Sequence, residues 1–378
     1  MTPIYVVSDN IISPLGRTTA ANFLGLKEGH SGIRRHNEPS FSDSPFYASL
    51  FPNNEVLLSR PSDPSLTKFE QLLIASMEDA LRGSGVDIRD RKTALIISST
   101  KGNISLLESA PPNPESRDRI PLYASAKRVG DYFQHPNKPL IVSNACISGL
   151  LGLLTGMRLI QSGQYENAVV TGADLITRFI LSGFQSFQAI SEVPCRPFDA
   201  DRNGITLGEG AATLVLSASK SAGERPPRLA GGAVSNDANH ISGPSRTGEE
   251  LWLAIRGALG QAGLDAGDID FISTHGTATL YNDEMEANAI SLAGMESVPA
   301  NSLKGNFGHT LGAAGLIESV ITLQSLKENL ALPTLGFAKS GVSKSLNICR
   351  TLQPLDIKNC LKTASGFGGC NAALIFCK

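Results

Sequence analysis

Residues 139–174 read "PLIVSNACISGLLGLLTGMRLIQSGQYENAVVTGAD", and the fold turns on how that stretch is parsed. "PLIV" is a short apolar strand, "GLLGLLTGMRLIQSG" an apolar helix that stops at a glycine, and "YENAVVTGAD" a second strand. Cys146 stands at the joint between the first strand and the helix. Upstream, "KTALIISST" is a strand that delivers the loop "KGNIS", and "LTKFEQLLIASMEDALRGSG" has helical spacing. At the start, "IYVVSDNIISPLG" reads as a strand, a turn and a short second apolar segment, followed by the helix "TTAANFLGLKEG". Residues from about Gly32 to Asp63 are rich in Pro, Ser, Asn and aromatics and read as an ordered surface excursion. This alternation predicts a mostly parallel sheet covered on both faces by helices.

The second part uses the same grammar without a repeat of sequence. "GAATLVLSA" is a strand, "GEELWLAIRGALGQAGLD" a helix, "IDFISTHGTAT" a strand and loop, and "NDEMEANAISLAG" a helix. "PANSLKGNFGHTLGAAG" is a loop entering another helix, and "IKNCLKTASGFGGCNAALIFCK" a strand pair around a glycine loop. A boundary falls in "SAGERPPRLAGG", dividing the chain into residues 1–225 and 226–378.

The 378 residues are 41% hydrophobic and 18% charged with a formal net charge of −2, an ordinary composition that gives no footing for a nucleic-acid partner. No run of about 20 apolar residues is present to span a bilayer, so stable membrane insertion is not expected. The first residues lack the basic start and cleavage site of a secretory leader. The six cysteines form no CxxC pair, and a reduced, cytoplasmic chain is the expectation.

A thiol at the first turn of a helix lies near unpaired N–H groups and the positive end of the dipole, which favour thiolate and can hold an oxyanion. A free cysteine is also often buried and inert, so nucleophile and core thiol both stay open on the local pattern. His275 in "STHGTAT" and His309 in "KGNFGHTLGAAG" follow apolar segments in small-residue loops. With Cys146 they could form a nucleophile with two donors or bases; each could also merely tie a tight loop. Metal ligation by the three is less attractive, because none of the short ligand spacings is present. Lys304 and Glu318 flank His309 and, if buried, should pair. Phe367 in "SGFGG" could seal a cavity. Arg196, Asp199, Asp201 and Arg202 could form an ion-pair network bracing a loop.

"NACISG", "CRPFDADRNGITLGEGAATLVL", "THGTATLYNDEMEANAI", "KGNFGHTLGAAGLIE" and "SGFGGCNAALIF" together closely resemble the β-ketoacyl-acyl-carrier-protein synthases, the condensing enzymes of fatty-acid and polyketide synthesis. The resemblance covers nearly the whole chain, with its motifs in order. It implies an α/β thiolase-like fold of two similar mixed-sheet halves in an α-β-α-β-α arrangement of five layers. It implies a decarboxylative Claisen condensation without a separate cofactor, the substrates riding on the phosphopantetheine of acyl carrier protein. The chain would be a homodimer, or a heterodimer with a related chain-length-factor subunit.

On this resemblance Cys146 takes the acyl group, and the N–H groups of Cys146 and Phe367 form the oxyanion hole. His275 and His309 promote decarboxylation of malonyl carrier protein, Lys304 and Glu318 are the supporting charged pair, Thr277 and Thr279 bind the pantetheine arm, and Phe367 is the gate. No metal site is implied. Departures from the family pattern include Ile147, which would narrow or dry the site, and Cys370 where threonine is usual. They point to a specialised acyl chain, such as a polyene or polyketide-like intermediate. A chain-length factor would lack the cysteine. A degradative thiolase would carry a second reactive cysteine near the C-terminal glycine loop, where Cys370 is the candidate.

Overall fold

The computed structural model describes residues 2–52, 65–108, 114–220, 223, 225–240 and 243–378. The first half runs β1 (Tyr5–Ile12), α1 (Thr19–Lys27), β2 (Arg34–His36), β3 (Phe46–Ser49), α2 (Lys68–Leu81), β4 (Thr93–Ser98), α3 (Pro114–Asp118), α4 (Leu122–Tyr132), β5 (Leu140–Val142), α5 (Ser148–Gln161), β6 (Asn167–Asp174), α6 (Arg178–Ser186), β7 (Leu207–Gly208) and β8 (Gly210–Ser217). The second runs β9 (Arg228–Asn236), α7 (Glu249–Ala262), β10 (Phe271–Ser273), α8 (Leu280–Leu292), β11 (Ala300–Asn301), α9 (Lys304–Phe307), α10 (Ala314–Glu328), β12 (Leu330–Ala331), β13 (Gln353–Pro354), β14 (Asn359–Gly366) and β15 (Cys370–Cys377).

The strand order β5-β4-β6-β8-β1 in one half is matched by β11-β10-β14-β15-β9 in the other. In each half the three strands at one end are parallel and the remaining ladders antiparallel. The two sheets touch in register only at Tyr5 and Arg228. Helices repeat in step along the strands of the main sheets: α2 lies between β1 and β4 as α7 lies between β9 and β10, α4 and α8 follow β4 and β10, and α5 and α10 come after β5 and β11. The repeat absent from the sequence is thus present in topology.

Layering follows from which faces are apolar. Helices α5 and α10 pack against each other and against both sheets, α2 covers the first sheet from outside, and α7 covers the second. That is the five-layered arrangement. Strands β8 and β15 are buried along their whole length, as strands with helices on both faces must be. The central helices approach so closely that a Cβ on Gly149 would come 2.8 Å from the Leu316 nitrogen, and one on Gly315 would come 2.9 Å from the Leu150 nitrogen. Glycine there lets the N-terminal ends of α5 and α10 meet, and these ends bring Cys146 and His309 together.

Two readings of the local pattern are corrected. The sheets are mixed, as the family resemblance implies, where the alternation in the first part alone suggested a mostly parallel sheet, because β8 and β15 return antiparallel, a polarity that apolar runs do not encode. The opening segment is one eight-residue strand with a bulge between Val6 and Ser8, not strand, turn and second segment; Asn10 is accommodated by accepting from Thr19 N–H at 3.2 Å. Part of the aromatic-rich excursion forms a small sheet, β2-β3-β7, while residues 53–64 lie outside the described residues. Among the described residues no helix is long and apolar enough to cross a membrane.

Candidate active site

Strand β5 ends three residues before a sharp elbow at Ala145, whose φ of 43° is left-handed for a residue with a Cβ. Ser148 Oγ fastens the elbow, donating to the Ala145 carbonyl at 2.6 Å and accepting from Asn144 N–H at 2.8 Å. Cys146 is thereby held just ahead of α5, its thiol facing a cleft. The expected softening of that thiol is not what the site produces. Cys146 is only 9% exposed, and burial pushes its pKa up to about 12, with the Lys304 ammonium opposing. Desolvation of the thiolate outweighs the nearby Lys304 charge.

His309 arrives from the opposite half. Its backbone is pinned to the first half, donating to the Thr206 carbonyl at 2.6 Å and accepting from Gly208 N–H at 3.1 Å. Its Nε2 stands 3.2 Å from Cys146 Sγ, and its Nδ1 accepts from Leu311 N–H at 3.3 Å. The second contact fixes the tautomer: the ring proton sits on Nε2 and points at the sulfur. The His275 ring lies edge-on to that of His309, with centroids 5.2 Å apart. Burial, then Lys304, holds both imidazoles well below the usual histidine range, so they are neutral N–H donors at pH 7.

Lys304 and Glu318 do pair, fully buried, and Lys304 Nζ also donates to the His275 carbonyl at 2.9 Å. Sequence reasoning missed the third member, Lys362, which reaches the other Glu318 oxygen at 2.8 Å. It also missed Glu286, whose carboxylate accepts from His275 N–H at 2.8 Å and Gly276 N–H at 2.7 Å. Asp174, likewise unforeseen, accepts from Gly312 N–H at 2.7 Å, Ser99 Oγ at 2.8 Å and Thr100 N–H at 3.1 Å. The available cue for Lys362 was a lysine inside an otherwise apolar and small-residue strand.

Cys146, His275, His309, Thr277, Thr279 and Phe367 all line one cleft of about 440 Å³. The Thr277 and Thr279 hydroxyls are 3.0 Å apart, and Thr279 also caps α8 by accepting from Asn282 N–H. Phe367, 40% exposed, packs between Phe184 and Phe187 with centroids 5.7 Å from each. Neither of those partners was foreseen. A Cβ on Gly366 would come 3.0 Å from the Cys146 nitrogen, so the glycine loop lies directly against the Cys146 backbone.

Other expectations resolve differently. Arg196 and Asp201 form an exposed ion pair at 3.6 Å while Arg202 pairs with Asp283 at 3.8 Å, so the four are linked not by ion pairs alone but through Asp199, whose carbonyl accepts from Arg202 at 3.0 Å and whose carboxylate accepts from Asp201 N–H at 2.9 Å. Ile147 packs in the central core and does not line the cleft. Cys370 is buried with its pKa pushed up to about 11 by burial, and its Sγ faces the Phe367 carbonyl at 3.5 Å; it does not line the cleft as a second nucleophile would. The ligand atoms of Cys146, His275 and His309 do converge within 4.8 Å. Leu311 nevertheless leaves the proton on the His309 nitrogen that faces the thiol, an arrangement for hydrogen bonding rather than coordination.

Family models for the N-terminal and C-terminal domains of β-ketoacyl synthases match residues 1–222 and 228–338. The 3-oxoacyl-[acyl-carrier-protein] synthase 2 of Vibrio cholerae serotype O1 is 29% identical over 412 aligned residues, covering 99% of this chain and 98% of the relative. The enzyme of that name from Rhizobium meliloti is 29% identical over 417, with the same coverage. Among solved structures, the ishigamide ketosynthase/chain length factor superposes with a TM-score of 0.91 at 27% identity, covering 100% of this chain and 99% of that one. A ketosynthase in complex with its chain length factor from Xenorhabdus doucetiae gives 0.86 at 25% identity, covering 100% and 98%.

Proposed function

The chain belongs to the β-ketoacyl synthase family and is a condensing acyltransferase, and from that premise we propose that it is a 3-oxoacyl-[acyl-carrier-protein] synthase extending an acyl chain by two carbons. Residues 1–225 and 226–378 serve as its two domains, one supplying the nucleophile and the other both histidines. The observation that carries the reading is the Cys146 thiol with a neutral imidazole N–H 3.2 Å away and a second imidazole beside it in one cleft.

In the first half-reaction, Cys146 Sγ attacks the thioester carbonyl of an acyl group carried on phosphopantetheine. The N–H groups of Cys146 and Phe367 receive the developing oxyanion, and the pantetheine thiol leaves with the proton the cysteine gives up. Thr277 and Thr279 hold the arm. Malonyl carrier protein then enters, and His275 and His309 donate to its thioester oxygen. A neutral donor matches an enolate that forms and then collapses, whereas an imidazolium would risk protonating the carbanion. Carbon dioxide leaves, the carbanion attacks the acyl-Cys146 carbonyl, and the C–S bond breaks to release the 3-oxoacyl product and the Cys146 thiolate, which takes up a proton from water to restore the thiol. Lys304 and Glu318 position His275, and Phe367 gates the cleft.

A second reading makes the chain the condensing subunit of a heterodimer with a chain-length factor. It is favoured by β5, an edge strand whose Leu140 and Ile141 are 38% and 37% exposed and which runs straight into the Cys146 elbow. A specialised polyene or polyketide-like substrate fits the same reading, and a cytoplasmic location fits both. Intact-protein mass after incubation with a panel of acyl carrier proteins, then malonyl carrier protein, tests the function. Acyl mass on the native chain but not on Cys146→Ala, discharged into a product two carbons longer, is the expected result. Mass that never appears with a folded chain, alone or with an added chain-length factor, overturns it.

A further inference from the structure

Three consecutive carbonyls at the end of β10 are received by buried ammonium groups. Lys362 Nζ donates to Ser273 O at 3.2 Å and Thr274 O at 3.0 Å, and Lys304 Nζ to His275 O at 2.9 Å. Lys362 also donates to its neighbour's carbonyl, Thr363 O, at 2.8 Å, and is 0% exposed. Both lysines share one carboxylate, Glu318. Lys304, Lys362 and Glu318 as a trio carry one net positive charge behind the imidazoles, with the Glu286 carboxylate held separately by the His275 and Gly276 N–H groups and Thr363 Oγ1, and a lysine is almost never buried so deeply unless it is paired. One ammonium would have sufficed for Glu318.

We propose that Lys362 is a positioning residue for the condensation step, holding the His275 end of β10 in place and keeping positive charge behind His275 and His309 so that both work as neutral donors. This rests on the condensing function proposed above. The charged and titratable groups facing the two rings are consistent with it. Lys304 of α9 and Lys362 of β14 stand against Glu318 of α10, and Glu286 of α8 is engaged by the His275 and Gly276 N–H groups and by Thr363 Oγ1 at 2.6 Å. Cys146 completes the set as an uncharged thiol, and Asp174 of β6 is turned to backbone donors and Ser99 rather than to the rings. Lys362 is itself among the charges that hold both histidines down.

The test compares native chain with Lys362→Met, which keeps the volume and leaves Glu318 paired to Lys304, and with Lys362→Gln, which keeps an N–H donor but not the charge. The expected result is acylation of Cys146 within about threefold of native while discharge by malonyl carrier protein falls about tenfold or more. The acid limb of the discharge rate should move to higher pH in both variants, because losing a cation lets the rings protonate earlier. An unmoved acid limb in folded variants overturns the proposal, as does equal loss of both half-reactions, which would mark a merely structural lysine. If neither variant folds, nitrogen NMR of the histidine rings in the native chain decides. The proposal requires both rings neutral at pH 6.5, where an ordinary imidazole is about half protonated; an imidazolium signal from either ring there overturns it. The NMR reading needs no substrate, and failure of the condensing function itself would show separately, as absent acylation or discharge in the native chain.

Discussion

The His309 imidazole presents its Nε2 proton to Cys146 Sγ at 3.2 Å because Leu311 N–H occupies Nδ1. The ring in this tautomer is a donor and not a base for the thiol, so Cys146 rests as a buried, uncharged thiol. Alkylation by iodoacetamide should therefore be slow at pH 7 and rise about tenfold per unit from pH 7 to 9 without a plateau, since only the thiolate reacts and the thiol pKa is pushed up to about 12. A plateau below pH 8 would mean that the dipole of α5 outweighs burial after all.

Asp174 ties the loop after β4 to the segment carrying His309, both its oxygens accepting from N–H or O–H donors. Asp174→Asn would turn an NH2 group against at least one of those N–H groups. The expected cost is about 1–3 kcal/mol for an unmatched buried donor, read as a lowered urea midpoint, with slower acylation because Gly312 and His309 lose their tether. An unchanged midpoint would mean that the loop relaxes and the tether is dispensable.

Cys146, His275, His309, Phe367 and the Lys304–Glu318 pair were singled out by motifs that resemble the family, since their local runs left each one open, and the structure brings them together around one cleft. What escaped did so for physical reasons. Lys362 occupies an ordinary strand position, and only the convergence of β10, β14 and α10 makes it a partner of Glu318. Phe184 of α6 and Phe187 just past its end reach Phe367 across the chain, a contact between segments about 180 residues apart that no local run encodes. Strand polarity was misread because burial on both faces produces the same apolar run in either direction.

Linkage gives an opposed pair of pH effects. His275 and His309 stay neutral in the native state while the unfolded chain takes up protons near 6.5, so their contribution is present above that pH and lost as pH falls through it. Asp174 and Asp283 have pKa values raised by burial from 3.8 to about 6. Their contribution is present below 3.8 and lost as pH rises through about 6. Between about pH 4 and 6 the two sets oppose, each group acting at up to about 1.4 kcal/mol per unit. A His275→Asn, His309→Asn double variant should unmask the aspartates, its stability rising relative to native as pH falls from 6 to 4. Parallel urea midpoints for variant and native across that range would show that the histidines carry no such term.

The close crossing of the central helices makes a last prediction. A methyl on Gly149 would sit 2.8 Å from Leu316 N and 3.1 Å from Gly312 O, and those atoms are backbone, which yields only if α5 and α10 separate. Gly149→Ala should cost about 1–3 kcal/mol as an overpacked core site and should also lengthen the Cys146–His309 distance, since both residues hang from the ends of these helices. Discharge by malonyl carrier protein should then fall further than the stability loss alone explains. Gly260→Ala supplies the control: it lies in α7 with nothing within 4 Å of the added methyl, and there alanine should be neutral or stabilising by up to about 1 kcal/mol. Should Gly149→Ala match that control in both melting temperature and turnover, the spacing of thiol and imidazole is set by the loops that carry them and not by the helix crossing.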